Sequence, residues 1–486
     1  MRILRGQAPY RDFFVLTGPG AFWLTALMLH VFGVSLQSAR LLVVADLAVF
    51  TTCTYWLTAR LAGRNAGIAT AVLFFAFTTA DANALTVNHR WDAGAMEYAA
   101  IVLLFGLLND PSAGKAAAAG LCAAASAWIT PPMMLPGLAL AVWLACNKGQ
   151  RRHLAPYLAG CSLVTFAAGG ALALQGALAP MIQHMLWTAS NYGGANRMAY
   201  GAVRGGYSAL FAGAATAELA ARGMVVFVLA LPAVLPVLAG GGWAVRLAFT
   251  WRRNQKWRDP VILLLVAGFS WLATAYPRGE INHLAFVTAV FFVLGGALVQ
   301  QLPSANVRLC LFAFFAFFGA MFLWNDGSRI HRDAAIGTPV GQLQGTREDQ
   351  ALIMDVLAKI HSGESLFVFP YAPILYFMTQ TQNPTQYAWL QPGMMVESDE
   401  RAALKDLNAH PPQYVIYNDV PAEAYLRIWP NSNPASLRMN QIEEFIHANY
   451  WTESIDSHPG ADVQIMKRAT FPAPLAAQSP RSIPEP

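Results

Sequence analysis

About ten apolar stretches, most of them long enough to cross a bilayer, dominate the first two thirds of the chain. They lie near residues 39–59, 66–84, 93–109, 114–130, 131–147, 154–174, 222–243, 260–276, 284–301 and 306–324. Charged residues make up only 12% of the chain, which is about half of their share in a soluble globular protein. The sequence therefore predicts an α-helical polytopic membrane protein.

The positive charges indicate how these stretches are oriented. Lys and Arg concentrate in alternate loops, which the positive-inside rule assigns to the cytoplasm. The residues concerned are Arg60, Arg64, Lys115, Lys148, Arg151, Arg152, Arg246, Arg252, Arg253, Lys256, Arg258 and Arg308. The net charge of +5 thus reports orientation, and we expect no nucleic-acid partner. The remaining loops and both chain ends are predicted to lie outside the cytoplasm.

The N-terminal segment reads as a membrane-surface element. "GQAPYRDFFVLTGPG" mixes charged and aromatic residues, and "FWLTALMLHVF" at 22–32 is apolar but short. The loop charges keep their alternation if 22–32 lies on the outer surface; if it crosses, the topology is inverted. Because Arg2, Arg5 and Arg11 precede the first span and no signal peptide is present, we expect that a first transmembrane helix is missing upstream.

This segment resembles the first outer loop of bacterial membrane glycosyltransferases of the GT-C type, a group that includes protein O-mannosyltransferases and lipid A aminoarabinose transferases. The matching residues are Pro9, Tyr10, Asp12, Phe13, Pro19, Phe32, Gly33 and Arg40. The resemblance implies a GT-C-like fold and transfer of a sugar from a polyprenyl-phosphate donor to an acceptor glycan, lipid or protein. It also implies a bacterial inner membrane location. One departure is that the family's usual catalytic acid would precede Met1.

A first outer cluster, "DANALTVNHRWDAGAMEY", precedes and enters the third span. The resemblance implies that acidic residues here assist catalysis or bind a divalent metal, so Asp92 is the first catalytic candidate and Asp81 the second. His89 and Arg90 are candidate substrate-binding residues. The alternative is a surface pair between Arg90 and Asp92 together with an aspartate that starts a helix.

Two further outer clusters offer groups for binding a substrate. In "YPRGEINHLAF", Arg278 and His283 are candidates for the donor phosphate, since a guanidinium matches the geometry of phosphate oxygens. In the long loop after the sixth span, Tyr192 and Arg197 are candidates for the sugar, and the resemblance adds Tyr10 and Asp12. The alternative for these residues is an interfacial anchor or aromatic belt.

The region after the last apolar stretch has the composition of a small globular domain. We expect a membrane domain at 1–325, a periplasmic α/β domain at 326–470 and a disordered Pro-rich tail at 471–486. "SLFVF" and "YVIYND" are predicted strands of a short parallel sheet, and two amphipathic helices are predicted at 346–362 and 398–410. No glycine motif for a nucleotide is present, so a nucleotide sugar is not the expected donor. A transporter or flippase, or a non-catalytic binder of a lipid-linked sugar, is the alternative function.

Overall fold

The computed structural model describes residues 1–79, 85–203, 206–213, 215–250, 258–434, 437, 439–458 and 461–469. The chain divides into two compact units, Met1–Asp333 and Ala334–Pro486. The division falls after Asp333 because the last helix of the first unit continues without a break as far as Arg332. The predicted tail at 471–486 lies outside the described residues.

Helices form almost all of the first unit. In chain order they are α1 (Gly20–Phe32), α2 (Leu36–Ala62), α3 (Arg64–Thr79), α4 (His89–Leu107), α5 (Ala113–Ile129), α6 (Met134–Cys146), α7 (Leu154–Leu174), α8 (Leu178–Ala195), α9 (Tyr207–Phe211), α10 (Thr216–Leu229), α11 (Leu231–Leu235), α12 (Gly241–Thr250), α13 (Arg258–Ala273), α14 (Ile281–Leu284), α15 (Ala289–Gln300) and α16 (Ala305–Arg332). A π-helical turn at Pro236–Gly240 joins α11 to α12.

Within the described residues, each apolar stretch of the sequence coincides with helix, which confirms the predicted fold class. Four helical segments of the described chain are individually long and apolar enough to cross a membrane: Leu36–Ala62, Arg151–Leu174, Leu231–Thr250 and Ala305–Asn325. The pair Ile281–Val287 and Ala289–Gln300, which bends by 75°, forms a fifth if it is one broken span. The other apolar helices are shorter, so the count of about ten crossings stays a prediction.

Several helices begin at a polar residue that satisfies their first amides. Ser35 accepts from the Ser38 amide at the start of α2, Asn88 from the Arg90 amide at the start of α4, and Ser112 from the Lys115 amide at the start of α5. Side-chain oxygens replace the backbone acceptors that the first turn of a helix lacks. The start of α4, which carries most of the first predicted cluster, is thereby fixed.

Small residues allow α5 and α7 to pack closely. A Cβ atom added to Gly120 would lie 1.9 Å from the carbonyl oxygen of Tyr157, and one added to Gly160 would lie 2.1 Å from that of Ala117. Glycine is therefore required at both positions for the two backbones to approach, as at many helix contacts inside membranes.

An aromatic group fills the centre of the helical unit between α2, α4 and α13. Phe50 packs edge-on against Trp91 at 5.0 Å and against Tyr98 at 5.5 Å, and Tyr98 lies 5.9 Å from Trp271. All four side chains are buried, and the Tyr98 hydroxyl is 2.9 Å from Thr54 Oγ1. This packing holds the first turns of α4 against α2.

The second unit contains a four-stranded sheet and a separate hairpin. Its elements are β1 (Ala334–Thr338), β2 (Gly341–Gly345), α17 (Arg347–Lys359), β3 (Leu366–Phe369), α18 (Ile374–Thr379), α19 (Glu397–Ala409), β4 (Tyr414–Asp419), α20 (Ala422–Ile428), α21 (Asn440–Asn449), β5 (Tyr450–His458) and β6 (Ala461–Arg468). The strand order is β3-β4-β6-β5, with β3 and β4 parallel as predicted and the other pairs antiparallel.

Candidate functional site

Two loops that are distant in sequence are joined by backbone hydrogen bonds. Residues 198–202, which follow α8, run parallel to residues 277–281, which follow α13. The bonds run from the Met198 amide to the Pro277 carbonyl at 2.9 Å, from Gly201 to Gly279 at 2.7 Å, and from Ile281 to Ala202 at 3.0 Å. We call this pairing the loop clamp. It brings the second and third predicted clusters together.

Arg278 and Glu280 form a buried ion pair within the loop clamp. Arg278 Nη2 lies 3.0 Å from Glu280 Oε1, and His283 Nδ1 lies 2.9 Å from the same oxygen. Arg278 Nη1 also donates to Asn196 Oδ1 at 3.4 Å, at the end of α8. Burial raises the pKa of the Glu280 carboxyl, but the contacts with His283 and Arg278 outweigh it and lower that pKa to about 2. Glu280 is therefore a carboxylate that orients a cation and an imidazole.

Arg90 adds a second guanidinium to this group. It lies in the first turn of α4 and interacts electrostatically with Arg278, Glu280 and Tyr192. Its side chain forms no ion pair or hydrogen bond with the residues that the structure describes. Among the described residues, Glu280 is the one carboxylate that interacts with both guanidinium groups, so positive charge exceeds negative charge in this part of the structure.

The adjacent histidine of α4 belongs to the same group. His89 Nδ1 lies 2.8 Å from Thr130 Oγ1, and the ring interacts electrostatically with Arg90 and His283. The structure therefore brings five predicted residues together. We call His89, Arg90, Tyr192, Arg278 and His283, with Glu280, the arginine cluster.

A cavity of about 330 Å³ adjoins the arginine cluster through Glu280. Thr78, Asn282 and Thr288 contribute polar groups to its wall. Much of the remaining lining is apolar and includes Phe77, Val226, Leu229, Phe292 and Phe322. A ligand that carries both an anionic group and a hydrocarbon chain would match this combination.

Asp92 lies inside the helical unit and faces a residue that sequence reasoning missed. Its carboxyl group contacts that of Asp46 in α2, within hydrogen-bonding reach, and the two residues are 3% and 7% exposed. The Oδ2 atom of each has no hydrogen-bond partner in the described part of the chain. The alternative of a surface pair between Arg90 and Asp92 is therefore wrong. Asp46 was overlooked because it lies in an apolar stretch, although a lone acid in such a stretch is itself a signal of function.

Glu97 is a second buried acid of α4. Its side chain is fully buried, and neither carboxyl oxygen has a hydrogen-bond partner among the described residues. It interacts electrostatically with Cys122, Tyr157 and Cys161 of α5 and α7. With Glu280, the described part of the helical unit therefore contains four buried acids, at positions 46, 92, 97 and 280.

Tyr10 and Asp12 stabilise the N-terminal segment. The Tyr10 hydroxyl donates to the Thr17 carbonyl, and its ring lies 5.6 Å from that of His184. Asp12 accepts a hydrogen bond from the Ala8 amide at 2.7 Å, and its bond from Arg11 lowers its pKa below the usual value. Tyr10 also lines a mostly apolar cavity of about 440 Å³ between this segment, α5, α6, α7 and α8.

The remaining predicted residues are placed differently. The Arg197 side chain is exposed, next in sequence to the Asn196 that contacts Arg278. Asp81 lies outside the described residues. Within the described ranges, no group of three or more His, Cys, Asp or Glu side chains is arranged to hold a metal ion.

A helical membrane unit followed by a small α/β unit, with cationic groups gathered on loops between the helices, is typical of the GT-C class of membrane glycosyltransferases. The chain is similar to the crystal structure of ArnT from Cupriavidus metallidurans bound to undecaprenyl phosphate, with a TM-score of 0.54 and 14% identity over 95% of this chain and 90% of that one. It is also similar to ArnT from the same organism in the apo state, with a TM-score of 0.52 and 13% identity over 93% and 88% of the two chains.

ArnT is a lipid A aminoarabinose transferase and a GT-C glycosyltransferase. No protein-family model matches this chain, and neither does any curated protein sequence. The similarity to ArnT at 14% identity concerns the fold alone. It confirms the GT-C fold that the N-terminal segment predicts.

Proposed function

We propose that this protein transfers a sugar from a polyprenyl-phosphate donor to an acceptor glycan, lipid or protein at the extracytoplasmic face of a bacterial inner membrane. The observation that carries the proposal is the arginine cluster, where Glu280 is the one described carboxylate that interacts with both Arg90 and Arg278. A donor phosphate would supply the negative charge that balances them, and guanidinium groups bind phosphate through paired hydrogen bonds.

The cavity beside Glu280 supports a lipid-linked donor. Its polar groups adjoin the arginine cluster, and its apolar wall offers a surface for hydrocarbon. The similar ArnT structure is bound to undecaprenyl phosphate, which combines these two chemical parts. In the proposed reaction, the cations stabilise the lipid phosphate as the bond to the sugar breaks.

The pair of Asp46 and Asp92 supplies the acid and base chemistry of the proposal. Two carboxyl groups in direct contact share a proton more readily than they hold two negative charges. Asp92 lies one turn after His89 on α4, so it is the nearer of the pair to the arginine cluster along the chain. We assign Asp92 to proton transfer with the acceptor and Asp46 to positioning it.

Binding of undecaprenyl phosphate to the purified protein tests the donor site. The variant Arg90→Gln removes a cation without leaving a described acid unpaired, so its effect on folding is small and its effect on phosphate binding is direct. We expect the dissociation constant to rise at least about tenfold, the scale of losing one charge-assisted hydrogen bond. Arg222→Gln is the matched control, because Arg222 pairs with Glu218 on an exposed surface.

Two outcomes would contradict the proposed donor site. One is an unchanged dissociation constant in Arg90→Gln at equal expression and thermal stability. The other is an equal loss in Arg222→Gln, which would indicate general attraction of the anionic lipid to positive charge.

The buried acids favour a transporter as the rival function. Asp46 and Glu97 lie within α2 and α4, and ionisable side chains inside membrane segments often mark pathways for ions or substrates. A transporter moves the lipid-linked sugar without cleaving it. Formation of glycosylated product and free polyprenyl phosphate in proteoliposomes would support transfer, whereas movement of intact donor across the bilayer would support the rival.

A further inference from the structure

Three aromatic side chains form a partly exposed surface in the second unit. The ring of Tyr371 lies 6.3 Å from that of Trp389 and 6.4 Å from that of Trp429, at interplanar angles of 64°. Tyr371 is 49% exposed, and both tryptophans are half-buried. We call Tyr371, Trp389 and Trp429 the aromatic face. An aromatic residue this exposed, with two tryptophans around it, is available to contact a ligand.

The aromatic face lies where the two parallel strands end. Tyr371 follows the end of β3 by two residues, and Asn418 is the next-to-last residue of β4. The Asn418 side chain donates to the Tyr371 carbonyl at 2.8 Å, so the two strand ends are tied together. Ligands of open α/β sheets bind outside the carboxyl ends of parallel strands.

The backbone holds the aromatic face in a fixed arrangement. The Leu390 amide donates to the Pro370 carbonyl at 2.8 Å, which positions Trp389 beside Tyr371. Ala372 has a φ of 137°, a conformation that is costly for a residue with a side chain. Strain of this kind persists at binding sites because the surrounding structure imposes it. The rings are therefore arranged before a ligand arrives.

Two polar side chains close in sequence to the tryptophans lack hydrogen-bond partners in the described part of the chain. Gln391, two residues after Trp389, and Ser432, three residues after Trp429, are 4% and 5% exposed. Gln391 Nε2 and Ser432 Oγ have no partner among the described residues. A buried donor without an acceptor is unfavourable unless a ligand or water supplies one. Asp419, next in sequence to the Asn418 that contacts Tyr371, is exposed at the end of β4.

We propose that the aromatic face binds a saccharide. A pyranose ring has an apolar face of C–H groups that stacks on Tyr and Trp, and a rim of hydroxyls that both donate and accept hydrogen bonds. The three aromatic rings match the C–H face. The polar groups of Gln391, Ser432 and Asp419 match the hydroxyl rim. A purely apolar partner would leave these polar groups unsatisfied. The proposal goes beyond the transfer reaction and does not depend on it.

Titration of the full-length protein with cellohexaose, maltohexaose and chitohexaose tests this proposal. The protein is placed in lipid nanodiscs, because glycoside detergents would compete for the site. We expect saturable quenching or enhancement of tryptophan fluorescence with at least one of the three, confirmed by calorimetry. Tyr371→Ala, at an exposed position, should weaken that binding by about tenfold through loss of ring stacking. Tyr371→Phe, which keeps the ring, should retain it.

Trp451→Ala is the matched control. Trp451 is 50% exposed on β5, and none of the ring contacts found within the described residues joins it to the aromatic face. Its replacement should leave saccharide binding unchanged. The proposal is overturned if none of the three saccharides binds saturably, if Tyr371→Ala and Trp451→Ala lose affinity equally, or if decaproline binds and no saccharide does. The last result would assign the face to proline-rich peptides.

Discussion

Replacing Glu280 with glutamine removes one negative charge from the arginine cluster and leaves the side-chain shape almost unchanged. In the native protein the Glu280 carboxylate lies 3.0 Å from Arg278 and 2.9 Å from His283, and it is 4% exposed. Lowering its pKa from 4.5 to about 2 corresponds to about 3 kcal/mol of preference for the charged form, at about 1.4 kcal/mol for each pH unit. Glu280→Gln should therefore lose up to about 3 kcal/mol of stability at neutral pH.

The dependence on pH identifies the charge as the cause. A carboxyl group whose pKa is lowered by folding stabilises the protein above its unfolded pKa, here 4.5. That contribution is lost as the pH falls towards 2. The unfolding temperatures of the native protein and of Glu280→Gln, measured in lipid nanodiscs, should thus differ at pH 7 and converge as the pH falls below 4.5.

Glu218→Gln serves as the control for this measurement. Glu218 pairs with Arg222, but both side chains are exposed, so the loss should be below about 1 kcal/mol. Equal stability of Glu280→Gln and the native protein at pH 7 would refute the reasoning. So would a difference that stays constant from pH 7 to pH 3, because it would point to packing and not to charge.

Three further predictions concern catalysis, topology and packing. Asp92→Asn should lower sugar transfer at least about tenfold at equal expression, whereas Asp110→Asn, at an exposed pair with Lys115, should not; equal rates would return Asp92 to a structural role. In a cysteine-free background, Ser328→Cys should react with a membrane-impermeant thiol reagent in intact cells and Gly149→Cys should not; reversed labelling would invert the topology. Gly160→Ala should destabilise the protein by about 1–3 kcal/mol in thermal unfolding, because its Cβ would meet the Ala117 carbonyl, while Gly170→Ala should be tolerated, since nothing lies within 4 Å of its Cβ; equal effects would refute the close contact.

The sequence was sufficient where local patterns decide the structure. Long apolar stretches predicted the helices. The short apolar segments "SLFVF" and "YVIYND" predicted the parallel strands β3 and β4. The hairpin of β5 and β6 was missed, although the Pro-Gly dipeptide at 459–460 is a turn signal between two alternating stretches.

The candidate site depends on contacts that no local pattern reveals. Arg90 and Arg278 were assigned to separate clusters, 188 residues apart, and it is the loop clamp and the packing of α4 that bring them together. The pairing of Asp46 with Asp92 likewise follows from the contact of α2 with α4, which periodicity does not specify. Most of the charged groups of the candidate site could be identified from the sequence, but their contacts with one another could not.

The loop clamp has a consequence for how the sequence can diverge. Its hydrogen bonds join amides to carbonyls, so they place few demands on the side chains of 198–202 and 277–281. Gly279 and Gly201 are exceptions, because a Cβ at 279 would lie 2.9 Å from the Tyr200 Cα and Gly201 has a φ of 71°. Arg278 and Glu280 lie in the second loop and belong to the arginine cluster themselves, so only substitutions at the other positions of these loops would leave its geometry intact. A site geometry that is set largely by main-chain hydrogen bonds tolerates exchange of the surrounding side chains more readily than one that is set by side-chain contacts.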